Sequence, residues 1–81
     1  MFQNGNYLFT EPGQAGVEVQ VSGGTFTANG RQWQVATNPA NQFNATIDLV
    51  GQDDTPVMLK RFGGAIWRAF GNSHILAKLA S

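Results

Sequence analysis

The sequence predicts an all-β protein, a small antiparallel β-sandwich or partly open barrel of six to eight short strands. Three observations carry this. Turn-forming residues recur roughly every eight to twelve positions, and the runs between them alternate apolar with polar side chains. No interval between candidate strands leaves room for the crossover helices of a parallel sheet. Finally, Thr25 to Thr37 reads as a complete β-hairpin. Asn29-Gly30 supplies the two positive-φ residues of a type I′ turn, whose twist suits its flanking strands. Phe26 and Ala28 fall on one face of the first arm, and Trp33 and Val35 on one face of the second.

The other elements follow in order. Asn6 to Thr10 is a short strand with Tyr7 and Phe9 on one side and Leu8 on the other. Glu11 to Gly16 is a loop, because Pro12 presets a turn and the glycines allow positive φ. Val17 to Val21 alternates β-branched with polar residues, as a half-buried strand requires. Ser22-Gly23-Gly24 turns into the hairpin, and Asn38 to Gln42 is the loop after it. Phe43 to Val50 alternates again, with Phe43, Ala45, Ile47 and Leu49 on one face. Gly51 to Pro56 is an acidic turn. Val57 to Phe62 has apolar residues on both faces and suits an interior position in the sheet. After the break at Gly63-Gly64, Ala65 to Phe70 carries Trp67 on one face and Ile66 and Phe70 on the other. The tail allows two forms. Gly71-Asn72 closes a hairpin onto a strand at His74 to Leu79, or Ser73 caps a short C-terminal helix. The expected core is Val19, Phe26, Val35, Ile47, Leu49, Leu59 and Ile66.

With 81 residues the chain makes one domain. Such a domain buries only about 60% of its unfolded surface, so its stability margin is thin. Proteins of this size gain support from disulfides, a metal or a partner subunit. Cysteine is absent, and His74 is the single histidine, too few ligands for zinc. A partner subunit is the support that remains. The opening Met1-Phe2-Gln3-Asn4-Gly5 has no basic segment, and no long apolar run follows. The expectation is synthesis in a cytoplasm without signal peptide or membrane span, with later incorporation into a virion or similar assembly.

Charged residues are 12% of the chain, well below the usual quarter or so. Fourteen Asn and Gln take their place. A neutral, amide-rich surface limits the repulsion that keeps monomers apart, and amides desolvate more cheaply than charges. The charges are also sorted along the chain. Glu11, Glu18, Asp48, Asp53 and Asp54 precede residue 55 with only Arg31 against them, while Lys60, Arg61, Arg68 and Lys78 follow it.

No residue set carries catalysis convincingly. Ser73 and His74 are neighbours that a strand would send to opposite faces, unlike a nucleophile and its base. The Asp48, Asp53, Asp54 group lacks the ligand spacing of a calcium loop. Gly63-Gly64 lacks the Lys-Ser/Thr of a phosphate loop. The run from Lys60 to Lys78 interleaves cations with Phe62, Trp67 and Phe70, as single-strand binders do. A net charge of zero argues against nucleic acid, and the aromatics also suit a small core. Arg31, Gln32, Trp33 and Gln34 beside the turn are a sugar-stacking candidate, set against Trp33 pointing inward.

The expected role is a non-enzymatic structural or interaction protein without cofactor or metal, docking into a larger protein assembly. A bacteriophage-like capsid decoration or tail-associated subunit is the type. The alternatives are a small inhibitor of a host protein or nucleic-acid enzyme, and a carbohydrate-binding module. The expected partner-binding residues are Arg61, Trp67 and Arg68, with Arg31, Trp33, Asp53 and Asp54. An aromatic beside an Arg is the usual interface anchor, and the acidic turn would meet a neighbour's basic hairpin head to tail.

Overall fold

The computed structural model describes residues 2–37, 46–61, 66–69 and 74–79. Every regular element among them is a strand: β1 (Gly5–Thr10), β2 (Val17–Val21), β3 (Thr25–Ala28), β4 (Arg31–Thr37), β5 (Thr46–Val50), β6 (Pro56–Arg61), β7 (Ile66–Ala69) and β8 (Ile75–Lys78). They form one sheet in the order β2-β1-β8-β7-β6-β5-β4-β3. Each neighbouring pair is antiparallel. The chain therefore meanders from β3 to β8, and β8 pairs with β1 to bring the sheet round on itself. The two edges, β2 and β3, share no ladder. They are joined by a tight turn in which Ser22 and Thr25 exchange both backbone hydrogen bonds, at 3.0 and 3.2 Å. The result is a nearly closed eight-stranded barrel, the partly open barrel that the alternating pattern predicts.

The hairpin forms as its sequence dictates. Asn29 and Gly30 have φ of 52° and 76°, which sets Phe26 opposite Trp33 and Ala28 opposite Arg31. The C-terminal ambiguity resolves to the strand. Ile75–Lys78 pairs with β1 on one side and β7 on the other, so its backbone groups complete the barrel instead of a helix. The Phe43–Ala45 part of the fifth strand, the flanks Phe62, Ala65 and Phe70, and the loops at 38–42, 63–64 and 71–73 lie outside the described residues.

Eight strands enclose a space that side chains just fill. Here aromatics fill it in two layers. Phe9, Phe26 and Trp33 pack together, with Phe9 edge-on to Phe26 at 5.1 Å and to Trp33 at 5.2 Å between centroids. Phe2, Tyr7 and Trp67 make the second layer, with Phe2 edge-on to Trp67 at 4.9 Å. Edge-to-face contact at these distances is the favourable arrangement of ring quadrupoles. Ile47, Leu49, Leu59, Leu76 and Val21 complete a core with almost no exposure. Six of the seven expected core residues are there: Val19, Phe26, Val35, Ile47, Leu49 and Leu59. The seventh, Ile66, is not. It is 41% exposed, and Trp67 beside it takes the inward position instead. Neighbours on a strand point to opposite faces, so only one could be inside. The ring of Trp67 removes more apolar area from water than Ile66 would.

Candidate functional site

The antiparallel order runs every odd-numbered strand toward one end of the barrel. We call that end the first mouth. The Glu11–Gly16 loop, the Asn29-Gly30 turn and the turn at 51–55 open there, and His74 enters β8 there. The second mouth is where β6 ends at Arg61 and β8 ends at Lys78.

The first mouth is closed by polar residues that continue the inward alternation. Glu11 follows Tyr7 and Phe9 at period two, and it is 5% exposed. One of its carboxylate oxygens accepts from Asn29 Nδ2 at 2.7 Å, and the other pairs with the Arg31 guanidinium. Arg31 precedes Trp33 and Val35 on the inward side of β4, and its guanidinium carbon lies 4.9 Å from the centre of the Trp33 ring. His74 precedes Leu76 in the same manner. Its ring packs 6.2 Å from Phe9 and 6.1 Å from Trp33. Burial first, and then the Arg31 charge, hold the His74 imidazole below its ordinary pKa. The Trp33 indole N–H is buried with no hydrogen-bond partner among the described residues. Among those residues no three His, Asp or Glu side chains gather as a metal site would require.

The second mouth is built the same way. Lys78 Nζ lies 5.7 Å from the centre of the Tyr7 ring and donates to the Leu79 carbonyl at 3.1 Å. The Tyr7 hydroxyl donates to the Gln3 carbonyl at 2.8 Å, and burial pushes its pKa up. Arg61 is exposed at the inward register position opposite Trp67.

The expected partner-binding residues are thus dispersed. Trp67 is buried at 7% exposure and Trp33 at 4%, so neither ring is a surface anchor. Burial removes the face that Trp33 would offer a sugar. Arg68 points outward while Trp67 points inward, so the expected aromatic–Arg pair does not form one surface. Arg31 is committed to Glu11. Asp53 and Asp54 stand on the exposed turn of the first mouth, where Asp53 accepts the Thr55 N–H at 3.2 Å and Asp54 takes φ of 63°. Arg61, their expected counterpart in a neighbour, is at the opposite mouth.

The barrel brings together a group that sequence reasoning did not assemble. On the outer face of β1, β8 and β7, register sets Leu8 beside Ala77 and Ala77 beside Ile66. The adjacent row places Thr10, Ile75, Arg68 and Lys60 side by side. Leu8 and Ile66 are 39% and 41% exposed, and Ile75 and Ala77 are half-buried. Glu18 pairs with Leu8 and borders this wall on the β2 side. Lys60 and Arg68, like charges in register, border it on the other. In the structure Leu8, Ile66, Ile75 and Ala77 all stand out of phase with the buried positions of their strands. Alternation in the sequence showed this for Leu8, whereas Ile66 was expected in the core and the strand carrying Ile75 and Ala77 was one of two forms. Only the closure of β8 onto β1 makes them neighbours. No family model matches this chain, and no curated protein or solved structure matches it significantly.

Proposed function

We propose that the protein is a non-enzymatic interaction subunit that docks into a larger protein assembly, of the capsid-decoration or tail-associated kind. The wall of Leu8, Ala77, Ile66 and Ile75 is the docking surface. The observation that carries this reading is the exposure of two large apolar side chains in one row, with Glu18 at one side and Arg68 and Lys60 at the other. An apolar centre with a polar rim is the anatomy of a protein interface. The barrel interior, packed with aromatics, leaves the outer surface to do the work. A second, salt-sensitive contact is favoured by the mouths: the acidic Asp53-Asp54 turn and the basic Arg61 stand at opposite ends, as head-to-tail stacking requires.

Sedimentation velocity over a concentration series, alone and with extract of the source cells, tests the reading. Leu8→Asp and Ile66→Asp should abolish association while shifting stability by only about 0.5 kcal/mol, as exposed substitutions do. Arg61→Glu should weaken only the salt-sensitive part. A chain that stays monomeric and takes up no partner, or association that both Asp variants retain, would contradict it.

A further inference from the structure

We propose that Asn29 is a site of spontaneous deamidation, and that the carboxylate it gains unlatches the barrel at the first mouth. The chain contains two Asn-Gly pairs, Asn4-Gly5 and Asn29-Gly30. Both asparagines are exposed, and the side chain of each pins one end of the seam where β2 and β3 share no ladder. At the second mouth Asn4 Oδ1 accepts the Gly23 N–H at 3.1 Å. At the first, Asn29 Nδ2 donates to Glu11 at 2.7 Å. Asn-Gly is the pair most open to deamidation, because glycine has no Cβ to keep its nitrogen from the side-chain carbonyl before it. Around Gly30 the way is clear. Its chain neighbours apart, no heavy atom of the described residues lies within 4 Å of where a Gly30 Cβ would stand. The turn also keeps the Gly30 N–H out of the ladder, since the pairing joins Ala28 to Arg31.

The Gly30 nitrogen attacks Asn29 Cγ. A bond forms between them, the Cγ–Nδ2 bond breaks, and ammonia leaves with the Gly30 proton. Water then opens the succinimide ring at either carbonyl, and no oxidant or reductant is involved. Opening at Cγ leaves a normal peptide bond and a carboxylate at position 29. Opening at the main-chain carbonyl leaves an isoaspartyl link, in which the main chain runs through Cγ and is one carbon longer. The two Asn-Gly sites answer this chemistry differently. Asn4 acts as an acceptor, and a carboxylate also accepts. Asn29 acts as a donor, and an ionised carboxylate cannot donate. The new charge stands against the Glu11 carboxylate, which is 5% exposed, so the Arg31 guanidinium faces two anions. The isoaspartyl form lengthens the two-residue turn that sets Phe26 opposite Trp33. Either product loosens the tie between the end of β1 and the β3–β4 hairpin.

Ageing the pure protein in mildly alkaline buffer, followed by peptide mapping and denaturant melts, tests the proposal. The Asn29 peptide should gain the mass of amide-to-acid exchange ahead of the asparagines that no glycine follows, and the modified fraction should melt at lower denaturant. Asn29→Gly, which tolerates the positive φ of the turn, should abolish that age-dependent loss. Asn29→Asp installs the product directly and should speed amide exchange in β3 at least about tenfold. Asn4→Asp should leave β3 near wild type, because its hydrogen bond survives. Glu11→Gln combined with Asn29→Asp exchanges the acid and the amide across the contact. That pair should recover toward the wild-type midpoint, and should fold even where Asn29→Asp alone does not. An aged protein in which Asn29 keeps its amide would overturn the proposal. So would an Asn29→Asp chain that melts as wild type, an Asn4→Asp chain that loosens β3 as much, or a double variant no more stable than Asn29→Asp.

Discussion

His74 shows how a single position in the alternating pattern decides a residue's chemistry. It lies one register step outside Leu76 on the inward side of β8, so its ring rests against Phe9 and Trp33. There it loses water and feels Arg31, and both effects disfavour the imidazolium. Glu11 is held at the same mouth by Asn29 and Arg31. A folded-state pKa below the unfolded value means that the unfolded chain binds more protons between the two. The His74 contribution is thus intact above about pH 6.5, the unfolded histidine value, and is lost as pH falls toward the lowered folded value. Denaturant melts at a series of pH values should show stability falling below that point. His74→Gln should flatten the profile between neutral pH and the onset of carboxylate titration. An unchanged slope in that variant would place the proton uptake elsewhere. Residue identity alone gave His74 no role beyond an edge of the core, and Glu11 was legible only as part of a Pro-Gly loop. The period-two series Tyr7, Phe9, Glu11 and Arg31, Trp33, Val35 contained the clue, since both series point charged residues at the same mouth.

At the scale of elements, the barrel has one weak line, the unlinked seam between β2 and β3. The Ser22–Thr25 turn closes it at the second mouth, where Asn4 also accepts the Gly23 N–H at 3.1 Å. Glu11 closes it at the first, tying the end of β1 to the β3–β4 hairpin across the gap. Charge-assisted hydrogen bonds to a buried carboxylate are stronger than neutral ones. Glu11→Ala should therefore cost about 2–3 kcal/mol, read as a lowered denaturation midpoint. It should also speed amide exchange in β3 more than in β6, which has partners on both sides. Equal exchange in the two strands would show that Glu11 is not the latch. The first seven strands were legible almost to the residue among the described residues, because period-two alternation and Asn-Gly chemistry are local, whereas the eighth stood open between strand and helix. The face of β7 was not. Ile66 and Trp67 are both apolar, so alternation could not choose between them, and the choice was made by what the barrel interior could hold.

For the whole molecule, the apolar residues divide into two sets with different tasks. Tyr7, Phe9, Leu49, Leu59 and Leu76 hold the barrel together from within. Leu8, Ile66, Ile75 and Ala77 face out, the first two exposed and the last two half-buried. Alternation marked Leu8 as out of phase with Tyr7 and Phe9, but it left the face of Ile66 open. It could not show them as one surface, because Leu8 and Ala77 are far apart in the chain and meet only through the β1–β8 ladder. The charged anchors predicted from the Arg61-to-Arg68 segment were likewise divided by the barrel wall, with Trp67 turned in and Arg68 turned out. The most direct measurement of this division is methyl NMR of the isotope-labelled protein across a concentration series, alone and with extract of the source cells. The account predicts that, in at least one of the two, the methyl resonances of Leu8, Ile66, Ile75 and Ala77 shift together, while those of Ile47, Leu49 and Leu59 stay fixed. Wall methyls that move in neither, or core methyls that move with them, would contradict it.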